Sequence, residues 1–203
     1  MSDEKDKAKY RFKCLEQKCD TRDCHIRPHV NVTLGDLSRW SIQGYIGNII
    51  SGLQVVPPES ENEPMTIETL RKPLKDDADN TACVFFDEEA NGCIIRYSRP
   101  ISCRTFPLEY NGSKFVLSSK NCPGVGKGEV TKDALKEAKE LAEKDYNERV
   151  ESITALPAVY TLIMAPMIRQ STEAMERMTE EDRKKMDEIL SKSKGEPSES
   201  EES

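Results

Sequence analysis

The seven cysteines constrain the fold of this chain more than any other feature, because all of them lie in one part of it. They are Cys14, Cys19, Cys24, Cys83, Cys93, Cys103 and Cys122, and the last 81 of the 203 residues contain none. The first three are separated by four residues each, and the next three by nine. Turn-forming residues stand beside several of them, and turns allow side chains from separate segments to meet at one site. The pattern therefore predicts one small domain organised around its thiols.

Three roles for these thiols can be compared. Structural disulfides are disfavoured by the odd number of cysteines and by an N-terminus without the apolar run of a secretory signal. Buried inert thiols are common in protein cores, but they account for one or two cysteines rather than seven clustered ones. Thiolate ligation remains, and thiolates select zinc or the iron of iron–sulfur clusters. The C-x-x-C pairs of zinc fingers are absent, so the residues predict a metal site without deciding the metal.

Two histidines and two arginines stand close to the cysteines. His25 follows Cys24 directly, and His29 comes four residues later, beyond a proline. Either ring could bind metal, and the position of His25 makes it the stronger candidate. Arg99 and Arg104 flank Cys103, where a cation lowers the pKa of a thiol and offsets thiolate charge; ion pairs with the acidic residues 87–89 are the alternative. A nucleophilic role for a cysteine needs a neighbouring base, and the sequence indicates none.

Charge and composition limit the partners. Lys and Arg number 30 and Asp and Glu 37, giving a net charge of −7, which disfavours a nucleic-acid binder because such proteins need a basic face. Hydrophobic residues make up 36% and charged residues 33%, so the core is small for the length. We therefore expect a cytoplasmic protein in a reducing compartment, with no nucleic-acid partner.

The order of sequence patterns predicts an α+β protein: a small cysteine-rich metal-binding domain with short hairpins, followed by a helical extension. The Thr33–Asp36 segment has the form of a helix cap, and Asn91-Gly92 and Asn111-Gly112 predict hairpin turns. Pro100 suits the start of a short helix that carries Cys103. Residues 54–82, rich in proline and charge, are expected to form a long loop or an excursion over the surface.

The expected domains are a mobile N-terminus (1–10), the cysteine-cluster domain (11–126), a helical extension (127–190) that could bind a protein partner, and a disordered acidic tail (191–203). Within the extension, residues 153–168 are the most apolar stretch of the chain. They are shorter than the roughly 20 residues of a typical membrane span and contain two prolines. We expect them to form a buried helical segment, with no membrane partner.

Several strings resemble the YkgJ-type cysteine-cluster family, described as zinc- or iron-chelating domains. They are Cys83-Val-Phe-Phe-Asp87, Gly92-Cys93-Ile-Ile-Arg-Tyr97, Arg99-Pro-Ile-Ser-Cys103-Arg-Thr-Phe-Pro107, Asn121-Cys122-Pro-Gly124 and the Val32–Arg39 segment. The resemblance covers about residues 11–126. The family spaces its N-terminal cysteines as C-x-x-C-x-x-C-C, whereas here the spacing is four and four, and His25 replaces the adjacent last cysteine.

The resemblance implies a set of eight ligands, enough for two four-ligand sites. They are Cys14, Cys19, Cys24, His25, Cys83, Cys93, Cys103 and Cys122. We expect them to bind an iron–sulfur cluster as the first choice of cofactor, or zinc, in a protein with an accessory or redox-linked role. Similarity of some family members to a flagellin lysine N-methylase implies a second possibility, an enzyme that modifies a protein side chain. A structural zinc module whose helical extension recruits a partner is the third.

Overall fold

The computed structural model describes residues 11–75, 77 and 79–193, which form a mixed α and β structure. The helices are α1 (Asp23–Ile26), α2 (Leu34–Ile42), α3 (Ile46–Ile49), α4 (Ile101–Thr105), α5 (Lys132–Arg177) and α6 (Glu180–Ser193). The strands are β1 (Asn31–Val32), β2 (Leu53–Val56), β3 (Thr66–Thr69), β4 (Arg71–Pro73), β5 (Thr81–Cys83), β6 (Phe86–Asp87), β7 (Gly92–Cys93), β8 (Leu108–Tyr110) and β9 (Phe115–Leu117). The chain divides into two compact units, 1–157 and 158–203.

Helix α2 begins at the predicted cap. The Thr33 side chain accepts a hydrogen bond from the Asp36 N–H, and the Asp36 carboxylate accepts one from the Thr33 N–H, so the reciprocal capping box is complete. One turn later, Trp40 is fully buried and donates its indole N–H to the Ser98 carbonyl over 2.6 Å. Trp40 is therefore a core residue.

Asp36 also joins α2 to the short helix that carries Cys103. Its two carboxylate oxygens accept the Ile101 N–H at 3.0 and 3.2 Å, and Oδ1 accepts the Arg39 guanidinium at 2.7 Å. Asp36 is 1% exposed, so its charge is compensated by these donors rather than by water. The N-terminus of α4 is thereby fixed against the N-terminus of α2.

The hydrophobic core is small and draws on many short elements. Its buried members are Val30, Val32, Trp40, Ile49, Ile67, Cys83, Phe85 and Leu156. Among the described members of this cluster, Leu156 alone comes from beyond residue 126, and it places the first part of α5 against the cysteine-rich region. A core built from so many two- to four-residue elements depends strongly on the polar contacts that fix those elements to one another.

Residues 54–82 do not form the expected long loop. Strand β3 pairs antiparallel with β1 and β2 in a three-stranded sheet of order β1-β3-β2, with Ile67 opposite both Val32 and Val55. Strands β4 and β5 form a separate pair. The β-branched residues of the Thr66–Thr69 run form the central strand, and the proline and charge are concentrated in the connections around them.

The two predicted hairpins form, with one difference in register. Tyr110 pairs with Phe115 across the second turn, as expected. In the first hairpin, Cys93 pairs with Phe86, whereas Cys83 belongs to β5 and pairs with Arg71. Cys83 and Cys93 therefore lie near each other without being paired across one ladder, because the chain changes ladder between β5 and β6. The short helix α4 after Pro100 is confirmed.

The apolar segment 153–168 is helical, but the expectation that it is buried is wrong. Helix α5 continues through Pro157 and Pro166, and most side chains of the segment are exposed, including Leu162 at 75%.

Two expected segments lie wholly or mostly outside the described residues. The N-terminal segment 1–10 and residues 194–203 of the tail are among those the structure does not describe. Residues 191–193 belong to α6, so the disorder expected from residue 191 is wrong for those three. Helix α6 begins after Thr179, whose hydroxyl accepts the Asp182 N–H over 3.2 Å.

We predict that Asp36→Ala destabilises the protein by roughly 3–5 kcal/mol, because it leaves the Ile101 N–H and the Arg39 guanidinium without their buried acceptor. Asp182→Ala is the matched control, since Asp182 has the same capping position on an exposed helix and its loss costs about 1 kcal/mol or less. Urea unfolding followed by far-ultraviolet circular dichroism measures both. Equal losses in the two variants would contradict the linking role of Asp36.

Candidate metal centre

All eight residues that sequence reasoning proposed as ligands line one cavity of about 430 Å³. Cys14 and Cys19 flank a 3-10 helix (Glu16–Lys18), Cys24 and His25 lie on α1, Cys83 ends β5, Cys93 lies on β7, Cys103 on α4, and Cys122 in the loop after β9. Segments more than 100 residues apart therefore deliver their thiols to the same space. None of the seven cysteines forms a disulfide.

The lining side chains do not close around a single point. Across residues 11–75, 77 and 79–193, no group of three or more His, Cys, Asp or Glu side chains has the arrangement that holds a metal ion. The structure thus gathers the expected donors around a shared volume, with the thiols spread over its walls.

The N-terminal cysteine segment is attached to the Cys122 loop by backbone pairing. The Lys13 N–H donates to the Gly124 carbonyl over 3.1 Å, the Gly126 N–H donates to the Arg11 carbonyl over 2.8 Å, and Phe12 and Val125 form an antiparallel bridge. A Cβ at Gly124 would lie 2.5 Å from the Lys13 carbonyl oxygen, so only glycine allows this approach. Cys14 and Cys122 are brought to the same side of the cavity in this way.

The thiols influence one another in two overlapping sets. Cys103 interacts electrostatically with Cys83, Cys93 and Cys24, and Cys24 also interacts with Cys14 and Cys19. Cys122 interacts with Cys14 and Cys19. The first set comes from the centre of the chain and the second from its N-terminal segment and the Cys122 loop, with Cys24 shared between them.

Burial keeps the inner thiols protonated in the metal-free protein. Desolvation, together with neighbouring thiols, raises the pKa of Cys24 to about 12. Desolvation also raises the pKa of Cys93 to about 11, and that of Cys103 above its usual range. Since a thiol ligates metal only as a thiolate, these groups ionise only when a cation compensates their charge.

Hydrogen-bond donors are nevertheless aimed at several sulfurs. The Glu16 N–H donates to Cys14 Sγ over 3.4 Å. The backbone N–H groups of Ile95 and Gly124 lie two residues after Cys93 and Cys122, as that of Glu16 lies two residues after Cys14. Each of these two groups lowers the pKa of its cysteine thiol and so opposes the increase that desolvation causes. Such donors stabilise a thiolate more than a thiol.

Arg27 contributes the strongest side-chain donor, and sequence reasoning missed it. Its Nη2 donates to Cys103 Sγ over 3.1 Å, and the same guanidinium contacts the Ser102 carbonyl and hydroxyl. Arg27 lies three residues after Cys24, about one helical turn, and that spacing is the signal that could have identified it. Arg99 and Arg104, which the sequence did indicate, line the cavity together with Arg22 and Arg96.

The structure separates the two histidines. His25 faces the cavity, stacks on Phe86 with ring centroids 4.4 Å apart, and has its pKa lowered to about 4 by burial and by neighbouring arginines. Its ring is therefore neutral at physiological pH, the state in which imidazole binds metal. His29 lies away from the cysteine cavity, and its Nδ1 is 3.1 Å from the Glu68 carboxylate.

Comparisons of the chain with protein-family models, with curated proteins and with solved structures find no match. The likeness to the YkgJ-type family accordingly stands on the strings quoted above.

We predict that Gly124→Ala destabilises the protein by about 1–3 kcal/mol, because the added methyl group pushes the Lys13 backbone away from the Cys122 loop. Gly47→Ala is the control: nothing lies within 4 Å of a Cβ there, and alanine in a helix is favoured by about 0.5–1 kcal/mol over glycine. Thermal unfolding of the two variants tests this. Unchanged stability in Gly124→Ala would show that the pairing of these two segments is dispensable.

Proposed function

We propose that the protein binds an iron–sulfur cluster in the cysteine cavity and serves as a metal-binding protein with an accessory or redox-linked role. The observation that carries this proposal is that seven thiols and one imidazole, from segments far apart in sequence, line the same cavity. Inert core thiols have no reason to converge on a space rather than on one another. A bound cluster would supply one-electron chemistry.

The size of the cavity favours a cluster over a single zinc ion. Four ligands enclose zinc at about 2.0–2.3 Å, and such a site leaves no cavity around the ion. Here the cavity has a volume of about 430 Å³, against the roughly 10–15 Å³ that one water molecule needs when volume is measured with a water-sized probe. Structural zinc is the alternative.

The charges around the cavity fit a thiolate-rich centre. Thiolates in a small volume repel one another, and four arginines line the cavity while Arg27 contacts Cys103 directly. Hydrogen bonds to the sulfurs and nearby positive charge stabilise reduced clusters and set their potentials. Arg27 and the backbone donors beside Cys14, Cys93 and Cys122 would have this role.

The deciding experiment is purification of the full chain without oxygen, followed by analysis of iron, acid-labile sulfide and zinc. We expect a brown protein with matched iron and sulfide and an absorption band that bleaches on reduction. Cys103→Ser should lose most of this metal, because Cys103 contributes to the innermost set of thiols. Stoichiometric zinc without sulfide would contradict the iron–sulfur cluster and support the structural zinc alternative. Absence of both, even after reconstitution with iron and sulfide, would refute metal binding.

The two histidines provide a matched pair of variants. We predict that His25→Ala lowers bound metal or shifts the cluster's spectrum, whereas His29→Ala leaves both unchanged because its ring bonds Glu68 outside the cavity. His25→Cys should retain metal, since a thiolate replaces the imidazole. Metal per protein and visible spectra are compared after identical anaerobic purification. Equal metal and spectra in His25→Ala and the parent would remove His25 from the ligand set.

A further inference from the structure

A second cavity, of about 520 Å³, is lined by none of the eight proposed metal ligands. It lies between residues 26–31, helix α4, the β8–β9 hairpin and α5, and all of its lining residues belong to the first compact unit. Its volume falls within the range of about 300–1,000 Å³ that is typical of small-molecule sites. The charged and titratable residues of the lining are Asp23, Arg27, His29, Glu109, Asp145 and Arg149.

Asp145 is a buried carboxylate of this cavity, and one of its oxygens lacks a donor. Its side chain is 3% exposed. Oδ2 accepts the Arg149 Nε–H over 3.1 Å, whereas Oδ1 has no hydrogen-bond partner among the described residues. Buried carboxylate oxygens are normally hydrogen-bonded, because an unmatched acceptor has lost its hydration without replacement. A donor is therefore missing beside Oδ1.

Glu109 is a second carboxylate of the cavity without a donor. It lines the cavity from β8, and its carboxylate forms no hydrogen bond or ion pair with any residue that the structure describes. Its charge acts on Asp145 and disfavours the ionised form of that side chain. The two carboxylates therefore repel each other, and a donor group that reached both would relieve the repulsion.

The lining as a whole carries a surplus of one negative charge, since three carboxylates stand against two guanidiniums. Both guanidiniums are already engaged. Arg149 bonds Asp145, while Arg27 bonds Cys103 Sγ and lies over the Phe106 ring, 5.4 Å from its centroid. A ligand with a single positive charge would balance the lining.

The pKa of Asp145 is raised to about 6, chiefly by burial and further by the charges of Glu109 and Asp36. Arg149 and Arg27 oppose this increase. The carboxylate is accordingly ionised at pH 8 and becomes neutral as the pH falls through about 6. A bound cation stabilises the ionised form, so cation binding is strongest above this pH and weakens below it.

We propose that this cavity binds a small molecule that carries one primary ammonium group on an aliphatic stem. An ammonium group has three N–H donors, enough for Asp145 Oδ1 and the Glu109 carboxylate together. The aliphatic stem would contact the apolar part of the lining, which is formed by Ile26, Pro28 and Phe106. A hard metal ion would use neither the apolar wall nor the directional acceptors, and calcium takes six to eight oxygen ligands. The proposal does not depend on which metal the cysteines bind.

The test is calorimetric titration of the full chain, purified without oxygen, with n-butylammonium chloride at pH 8 and constant ionic strength. We expect saturable binding of one ion, and no binding of n-butanol, which has the same stem without the charge. Asp145→Asn and Glu109→Gln should each weaken the affinity about 10-fold or more, because each removes a charged acceptor. Glu143→Gln is the matched control, since Glu143 is exposed on α5 outside the cavity and should bind like the parent.

Several outcomes would overturn the proposal. They are no saturable binding of n-butylammonium, displacement of it by magnesium chloride at equal ionic strength, and equal affinity in Glu109→Gln and the parent. Glu109→Gln decides the matter if Asp145→Asn does not fold, because the Glu109 carboxylate supports no described contact. Affinity that stays constant from pH 8 to pH 5 would exclude Asp145 as an acceptor. Metal content is measured in the same variants and should not change, which separates this proposal from the metal centre.

Discussion

The buried carboxylate of Asp36 fixes the part of the fold on which the cavity depends. It accepts the N–H groups of Thr33 and Ile101 and the guanidinium of Arg39, and so connects the starts of two helices, although Asp36 and Ile101 are 65 residues apart in sequence. One of these helices holds Cys103, whose sulfur is enclosed at the cavity wall. Because the surrounding core consists of very short elements, a charge held by several donors supplies the positional accuracy that packing alone does not. The capping box is therefore also a structural element of the candidate site.

The cavity itself combines two opposing influences on its thiols. Desolvation raises the pKa of Cys24 and Cys93 well above the usual value, which favours neutral thiols. Arg27 and backbone N–H groups favour thiolates. In the absence of a cation, desolvation dominates. A bound cation would reverse the balance, and the donors already in place would then contact ionised sulfur. Under the proposed function, metal binding would therefore be coupled to proton release from the thiols.

The sequence was sufficient to identify the residues around the cavity but not how they reach it. Cysteine clustering and the resemblance together indicate eight of the residues that line the cavity, and the cap at Thr33 and the turn at Asn111-Gly112 follow from local rules. The register around Cys83 does not follow from local rules, because its partner Arg71 lies in strand β4, a segment that the composition had assigned to a loop. Long-range contacts such as Arg27 to Cys103, separated by 76 residues, are likewise invisible to local patterns.

Helix α5 shows why burial cannot be inferred from hydrophobicity alone. In its first part, Ala142 and Asp145 are buried, the Glu148 carboxylate accepts the Thr33 hydroxyl, and the Ser152 hydroxyl accepts the Leu34 N–H. Those contacts are polar and specific, and they hold the helix against the N-terminus of α2. Between Leu156 and Arg169 the helix carries no charged side chain, and most of its side chains are exposed. Hydropathy is a property of the side chains alone, whereas burial depends on which surfaces the fold places against them. The packed turns of α5 are distinguished by the polar groups that bond to partners at the start of α2, and an apolar sequence pattern does not reveal such partners.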